Sequence, residues 1–257
     1  MNYVPCSERT FRLNLAPEFA YHYWVYLHWF KQMLERLGRE SALSVWEDAL
    51  REYDDTLLMQ ILTAPWQDAP EQDGDVEGEI AGIPAQVFPS PVDGVSSQEA
   101  QKILEGSPPF RQIRQWFPVL HRERSISTYE ALHLFRDGLA HLAESLLDHH
   151  GKQGELIAYD AMLAELAEDR EPVPVEEFMS NRAARFTVGP DEPDMFTAGL
   201  EVEFVRASER EVVTLVKECE WARYYRERHP RVGFLLACSL DNAVYRWFNP
   251  RIRLQRT

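Results

Sequence analysis

An α+β fold is predicted for this chain of 257 residues, and three features predict it. Apolar residues recur at threes and fours through most of the first 170 positions, which is the helical period. Pro172, Pro174, Pro190 and Pro193 then break that pattern. Beyond them, β-branched residues alternate with polar ones over short runs bounded by turn signals, as in a small antiparallel sheet. Helices first and a small sheet last make the class α+β.

The elements follow in order. From Pro17, the apolar positions Phe19, Trp24, Leu27, Phe30, Leu34 and Leu37 mark one helix face, and Gly38 punctuates it. A second helix is predicted over Ser41–Thr63, with Leu43, Trp46, Leu50, Tyr53, Leu57 and Ile61 on one face and Pro65 as its stop. Residues 1–65 therefore read as a helical hairpin. Residues 66–97 hold acids, Gly and Pro with almost no period, and read as a long acidic loop or a partly disordered segment.

Residues 98–170 read as helical again. A short helix near Ser97–Leu104 is followed by a stretch between Pro109 and Pro118 that reads as helical, and then by a strong helix over Ser127–His149. There Ser127-Thr128-Tyr129-Glu130 can cap the first turn, and Leu132, Phe135, Leu139, Leu142 and Leu146 form the buried stripe. After Gly151 a further helix runs to about Asp169. Setting Gly38 on Gly151, an offset of 113, lays His28 on His141, Leu34 on Leu147, Trp46 on Tyr159, Glu47 on Asp160 and Leu50 on Leu163. That is either a duplicated helix-Gly-helix hairpin or the tolerable alignment any two amphipathic hairpins give. Residues 171–257 form the α+β part, one compact domain together with the rest. In it, Gly199–Arg206 and Glu211–Lys217 form a β-hairpin, a short helix starts at Glu220, another runs from Val232 to Trp247, and Pro250–Thr257 alternates like a strand.

The apolar fraction of 45% and charged fraction of 27% suit a globular protein able to bury a core without disulfides. Cys6, Cys219 and Cys238 are odd in number and fit no zinc spacing, so a disulfide scaffold and a zinc ribbon are disfavoured and a reducing compartment is expected. The sequence shows neither a leader nor a membrane-spanning run, so a cytoplasmic location is expected. A formal charge of −15 repels phosphate backbones and weakens a nucleic-acid reading. From Lys217 to Thr257, however, nine basic residues face four acids, and a small anionic ligand is attracted there. There is no phosphate loop, nucleophile elbow or dinucleotide fingerprint, which leaves ATP and NAD chemistry without support.

One stretch carries most of the chemistry. A run Val216-Lys217-Glu218-Cys219 leads into the aromatic segment Glu220-Trp221-Ala222-Arg223-Tyr224-Tyr225; Cys238-Ser239-Leu240-Asp241 follows, and then Asn249-Pro250-Arg251-Ile252-Arg253-Leu254-Gln255-Arg256-Thr257. Over about residues 199–257 this resembles the L-2-amino-thiazoline-4-carboxylic acid hydrolase family. The resemblance implies ring-opening hydrolysis, at a carbon–nitrogen bond, of a small cyclic amidine-like carboxylate. It also implies that Cys238 and Asp241 match the family's Cys-x-x-Asp element, Cys219 the cysteine after the strand, and Arg256 the terminal arginine. Family members continue into a further strand with a Gly and a Cys, whereas this sequence stops at Thr257.

The residues can be read apart from the resemblance. On one helix, Cys238 and Asp241 at i and i+3 share a face, so the carboxylate can orient a partner or take a proton. An anion beside a thiol raises the thiol pKa, so a nucleophilic Cys238 also needs positive charge, for which Arg246, Arg253 and Arg256 are candidates. An Arg fork also holds a carboxylate in bidentate fashion. The competing reading makes Cys238 a small buried apolar residue within Phe234–Leu240.

Glu130, His133, Asp137 and His141 lie along one side of a helix, which would suit a helical metalloenzyme, or else a plain polar edge. The first hairpin offers Glu18, His22 and His28 but no matching second motif. His28 and His141 are candidate general bases reaching a pocket. The aromatic run Tyr21–Phe30, Trp24 included, serves a pocket wall, helix packing or a homodimer face. The expected function is thus a cysteine-assisted hydrolase needing no cofactor and no metal, acting on a small anionic substrate rather than on nucleic acid or membrane. Cys238 attacks, Asp241 shuttles a proton and Arg256 holds the carboxylate. The alternative is a non-catalytic small-molecule-binding or assembly protein that retains the fold.

Overall fold

The computed structural model describes residues 5–51, 53, 56–65, 67–68, 76–111, 122–164, 174–177, 198–208, 210–239 and 241–255. They fall into two compact units. A helical unit takes Leu13–Arg124 and His133–Ala164, and a second unit takes Met1–Arg12, Ser125–Leu132 and Glu165–Thr257. The class is α+β, as the sequence predicts. Among the described residues no helix is long and apolar enough to cross a membrane.

In the helical unit, α1 (Leu15–Leu37) starts where the Asn14 side chain accepts the Ala16 N–H at 3.1 Å. It ends at Gly38, whose φ of +77° lets the chain reverse into α2 (Arg39–Arg51). Most of the aromatic run of α1 is spent on the core, with Tyr21 exposed and Trp24 half-buried. Tyr23, Tyr26, Trp29 and Phe30 are buried, and Phe30 meets Trp46 of α2 edge to face at 5.1 Å. Helix α5 (Ser97–Gly106) opens with the Ser96 hydroxyl accepting the Glu99 N–H. Phe110 just beyond it packs its ring against Tyr23 and Tyr26.

Two sequence expectations fail here. The single helix over 41–63 is two, because α2 stops at Arg51 and α3 (Thr56–Thr63) starts anew. The segment expected as a loop contains β2 (Gln67–Asp68) and α4 (Val76–Val87). Ile80, Ile83 and Val87 of α4 are buried at helical spacing; two glycines and Pro84, tolerated inside this helix, hid that period.

Helix α6 (Thr128–Ala164) begins with the predicted reciprocal cap. The Ser127 N–H donates to Glu130 Oε2 at 2.8 Å, and the Glu130 N–H donates to Ser127 Oγ at 3.2 Å. Gly151, with φ +53° and ψ −127°, divides it into residues 128–150 and 152–164, so Gly38 and Gly151 play the same part in two hairpins. Two contacts join positions that are equivalent at the offset of 113. His22 stacks on Phe135 with centroids 4.4 Å apart, and the Tyr26 hydroxyl hydrogen-bonds with the backbone of Leu139. Arg36 binds Asp160 at 2.6 Å, whereas His149, at the position equivalent to Arg36, meets Asp48 at 2.9 Å, one residue beyond Glu47, the position equivalent to Asp160.

Strands β1 (Thr10–Asn14) and β3 (Arg122–Ser127), which no sequence signal marked, join β2 in the order β1-β3-β2, with Gln67 opposite Glu123 and Asp68 opposite Arg122. In the second unit β4 (Leu200–Ala207) and β5 (Val212–Cys219) form the predicted antiparallel hairpin, Leu200 opposite Cys219 and Ala207 opposite Val212. The Ser208 hydroxyl accepts the Glu211 N–H in its turn. The open end of the hairpin is fastened to the start of the chain. The Cys6 N–H donates to Glu218 Oε2 at 3.0 Å, and Arg9 donates to the Leu200 carbonyl and to the Glu201 carboxylate. Helix α7 (Glu220–Arg228) follows directly and buries Tyr224 against Tyr129.

The predicted helix over 232–247 is also two elements, a π-helical turn at Phe234–Cys238 and α8 (Asp241–Phe248). The Ser239 N–H donates to the Phe234 carbonyl five residues back, and the Ser239 hydroxyl donates to Leu235, which closes the wide turn before α8 can begin. The predicted last strand is absent among the described residues. Asn249 Oδ1 accepts the Arg251 N–H to form a turn, and 252–255 have no regular structure.

Candidate active site

Strand β5 delivers Cys219 to the first turn of α7 with extended φ and ψ of −144° and 106°, so the residue caps the helix. A cap is ordinarily an oxygen of Ser, Thr, Asp or Asn. Here Sγ takes that place, accepting the Ala222 N–H at 3.4 Å and a second hydrogen bond from the Trp221 backbone. Those two N–H groups and the helix dipole favour a thiolate over a thiol.

Other forces oppose them. Burial raises the Cys219 pKa most, the Ala222 N–H lowers it, Cys238 raises it, the Trp221 N–H lowers it, and Asp241 raises it; the net shift is upward. At neutral pH Cys219 is therefore held as a thiol beside groups prepared for its anion. The same interactions show that Cys238 and Asp241 lie within electrostatic reach of the Cys219 sulfur.

The site is thus built from three element ends: the last residue of β5, the last of the π turn and the first of α8. All three side chains are partly exposed. Cys238 closes the π turn and Asp241 opens α8, so the two stand at the adjoining ends of two elements rather than within one assigned α-helix. Cys238 is half-buried, so the reading of it as a sealed apolar residue does not hold either.

Arg246, in the last turn of α8, and Arg253, beyond it, are exposed in the same unit. Arg256 lies outside the described residues. The remaining predicted site residues belong to the helical unit. Trp24 stacks on His28 at 4.0 Å, and burial, with the Lys31 charge, pushes the His28 pKa down to about 4. His141 faces Tyr53 at 5.9 Å and Asp137 at 3.7 Å. The supposed pair His28 and His141 therefore have separate partners. In the row considered for a metal, Glu130 is occupied by the Ser127 cap, while the fully buried Asp137 lies 3.4 Å from His133.

The sequence reading missed the backbone donors of Trp221 and Ala222. A cysteine standing between a strand and a helix, in the position of a cap, was the available signal. Cys6 carries no such signal. Burial, and the Glu218 carboxylate against the opposing charge of Arg9, push its thiol up to about 12, so it is inert.

Residues 132–257 match the family described as L-2-amino-thiazoline-4-carboxylic acid hydrolase, a span that includes most of α6 as well as the cysteine site. No match to a curated protein or to a solved structure was found.

Proposed function

Because residues 132–257 match the family described as L-2-amino-thiazoline-4-carboxylic acid hydrolase, we propose that the chain hydrolyses a ring carbon–nitrogen bond of a small cyclic amidine-like carboxylate, with Cys219 as the attacking group. The observation that carries this reading is the capped sulfur: Sγ of Cys219 receives two backbone N–H groups at the start of α7 and feels the charges of Cys238 and Asp241. Asp241 takes the thiol proton as the sulfur adds to the amidine carbon. The ring C–N bond then breaks, and the proton passes to the departing nitrogen. Water adds to the same carbon and releases the thiol, leaving a carbamoyl product. Arg246 and Arg253, with Arg256 by resemblance, hold the substrate carboxylate. Cys238 tunes the Cys219 sulfur rather than attacking.

Turnover of 2-amino-thiazoline-4-carboxylate by the purified chain and its variants tests this. Cys219→Ser is expected to lower kcat by about a thousandfold or more with unchanged circular dichroism, and Cys238→Ser by much less. Equal losses in both variants, or full activity in Cys219→Ser, would remove Cys219 from the attacking role.

A further inference from the structure

We infer that the helical unit carries a second ligand site, an open groove between α2 and the end of α5 that takes an amphipathic anion: an aromatic or acyl body bearing a carboxylate, sulfonate or phosphate. The groove measures about 660 Å³, within the range of small-molecule sites. Its lining is mixed, and the apolar part comes from Leu43, Trp46 and Leu50 on α2 and Ile103 on α5. Trp46 is 3% exposed and fixed by Phe30 and Tyr26, so this wall is rigid before any ligand arrives.

The charge of the groove is opposite to that of the chain. In a protein of net charge −15, the described residues that line it include Arg51, Lys102 and Arg111 against the one acid Glu47. Arg51 is paired with Asp48 at 2.7 Å. Lys102 and Arg111 are exposed and make no ion pair among the described residues, so they stand ready for an anion. An apolar wall beside two cations selects a ligand with both characters: the body loses water against the half-buried Leu43 and Ile103, backed by Trp46, while its anionic end stays at the rim with Lys102 and Arg111. All of these residues belong to the helical unit, and none is a member of the cysteine site. The inference therefore stands or falls independently of the proposed hydrolysis.

The test uses the full chain and two dyes of nearly the same shape, anionic 8-anilinonaphthalene-1-sulfonate and neutral N-phenyl-1-naphthylamine, each titrated by fluorescence. The anionic dye is expected to bind the unaltered protein more tightly than the neutral one, and to bind Lys102→Glu/Arg111→Glu about tenfold more weakly. Cys219→Ser is expected to leave its binding unchanged. Leu43→Trp, which fills the groove and keeps the cations, is expected to weaken both dyes. Equal affinity for the two dyes, or an anionic-dye affinity that survives both the charge reversal and the filling substitution, would overturn the site.

Discussion

Cysteine in a helix-capping position has consequences at the level of a single residue. The Cys219 thiol has a folded-state pKa above its ordinary value of 9.0, chiefly through burial, so its thiolate fraction is small at neutral pH and grows as the pH rises. The rate of ring opening is expected to climb on the alkaline side. Asp241→Asn removes one of the charges that raise this pKa, and is expected to move the rising limb to lower pH while reducing the maximum rate. The pH profile of kcat/KM for the two proteins checks both statements. A different titration governs stability. His22 is buried against Phe135, and burial, with the Arg136 charge, holds its pKa well below 6.5. Folded His22 stays neutral while the unfolded chain takes up a proton, so stability is full above about pH 6.5 and is lost as the pH falls below that value. His22→Phe is expected to flatten the acid-side fall in melting temperature.

The elements show which parts of the fold were legible. Helices α1, α5 and α6 and the β4–β5 hairpin were written in period and caps, down to the Ser127–Glu130 pair. Helix α4 was not, because its apolar residues are interleaved with Gly78, Gly82 and Pro84, which ordinarily mark loops. Strand β1 is short and half-buried, with only Phe11 and Leu13 turned inward, too few residues for an alternation to stand out. The π turn depends on where the Ser239 hydroxyl and N–H find their carbonyls, which no periodicity reports. In the second hairpin, a Cβ at Gly154 would lie 1.9 Å from the Leu146 carbonyl oxygen, whereas one at Gly106 in α5 would meet nothing within 4 Å. Gly154→Ala is therefore expected to destabilise the protein by about 3 kcal/mol or more, and Gly106→Ala to be neutral or to stabilise it by up to about 1 kcal/mol. Urea unfolding midpoints compare the two.

At the scale of the molecule, the C-terminal residues that suggested the chemistry were legible as types but not as a site. The sequence put Cys238 first as the attacking group; the features on which Cys219 is proposed instead are backbone N–H donors supplied by the start of α7, which no residue type announces. In the helical unit His22 meets Phe135 and Tyr26 the Leu139 backbone, and Tyr23, Tyr26, Trp29 and Phe30 are committed to packing while Tyr21 is exposed. His28 packs against Trp24 there, and His141 lies near Tyr53 and Asp137. The excess of basic residues after Lys217 also acts at long range. Raising the ionic strength until the Debye length falls below about 10 Å is expected to raise KM for the anionic substrate with little change in kcat. The most direct test of the account is mass spectrometry of protein quenched in acid during turnover and then digested. Addition of the sulfur to the amidine carbon with ring opening retains every substrate atom, so the Cys219 peptide is predicted to be heavier by one whole substrate. A heavier Cys238 peptide instead, or sustained turnover by Cys219→Ser with no adduct on either cysteine, would contradict it.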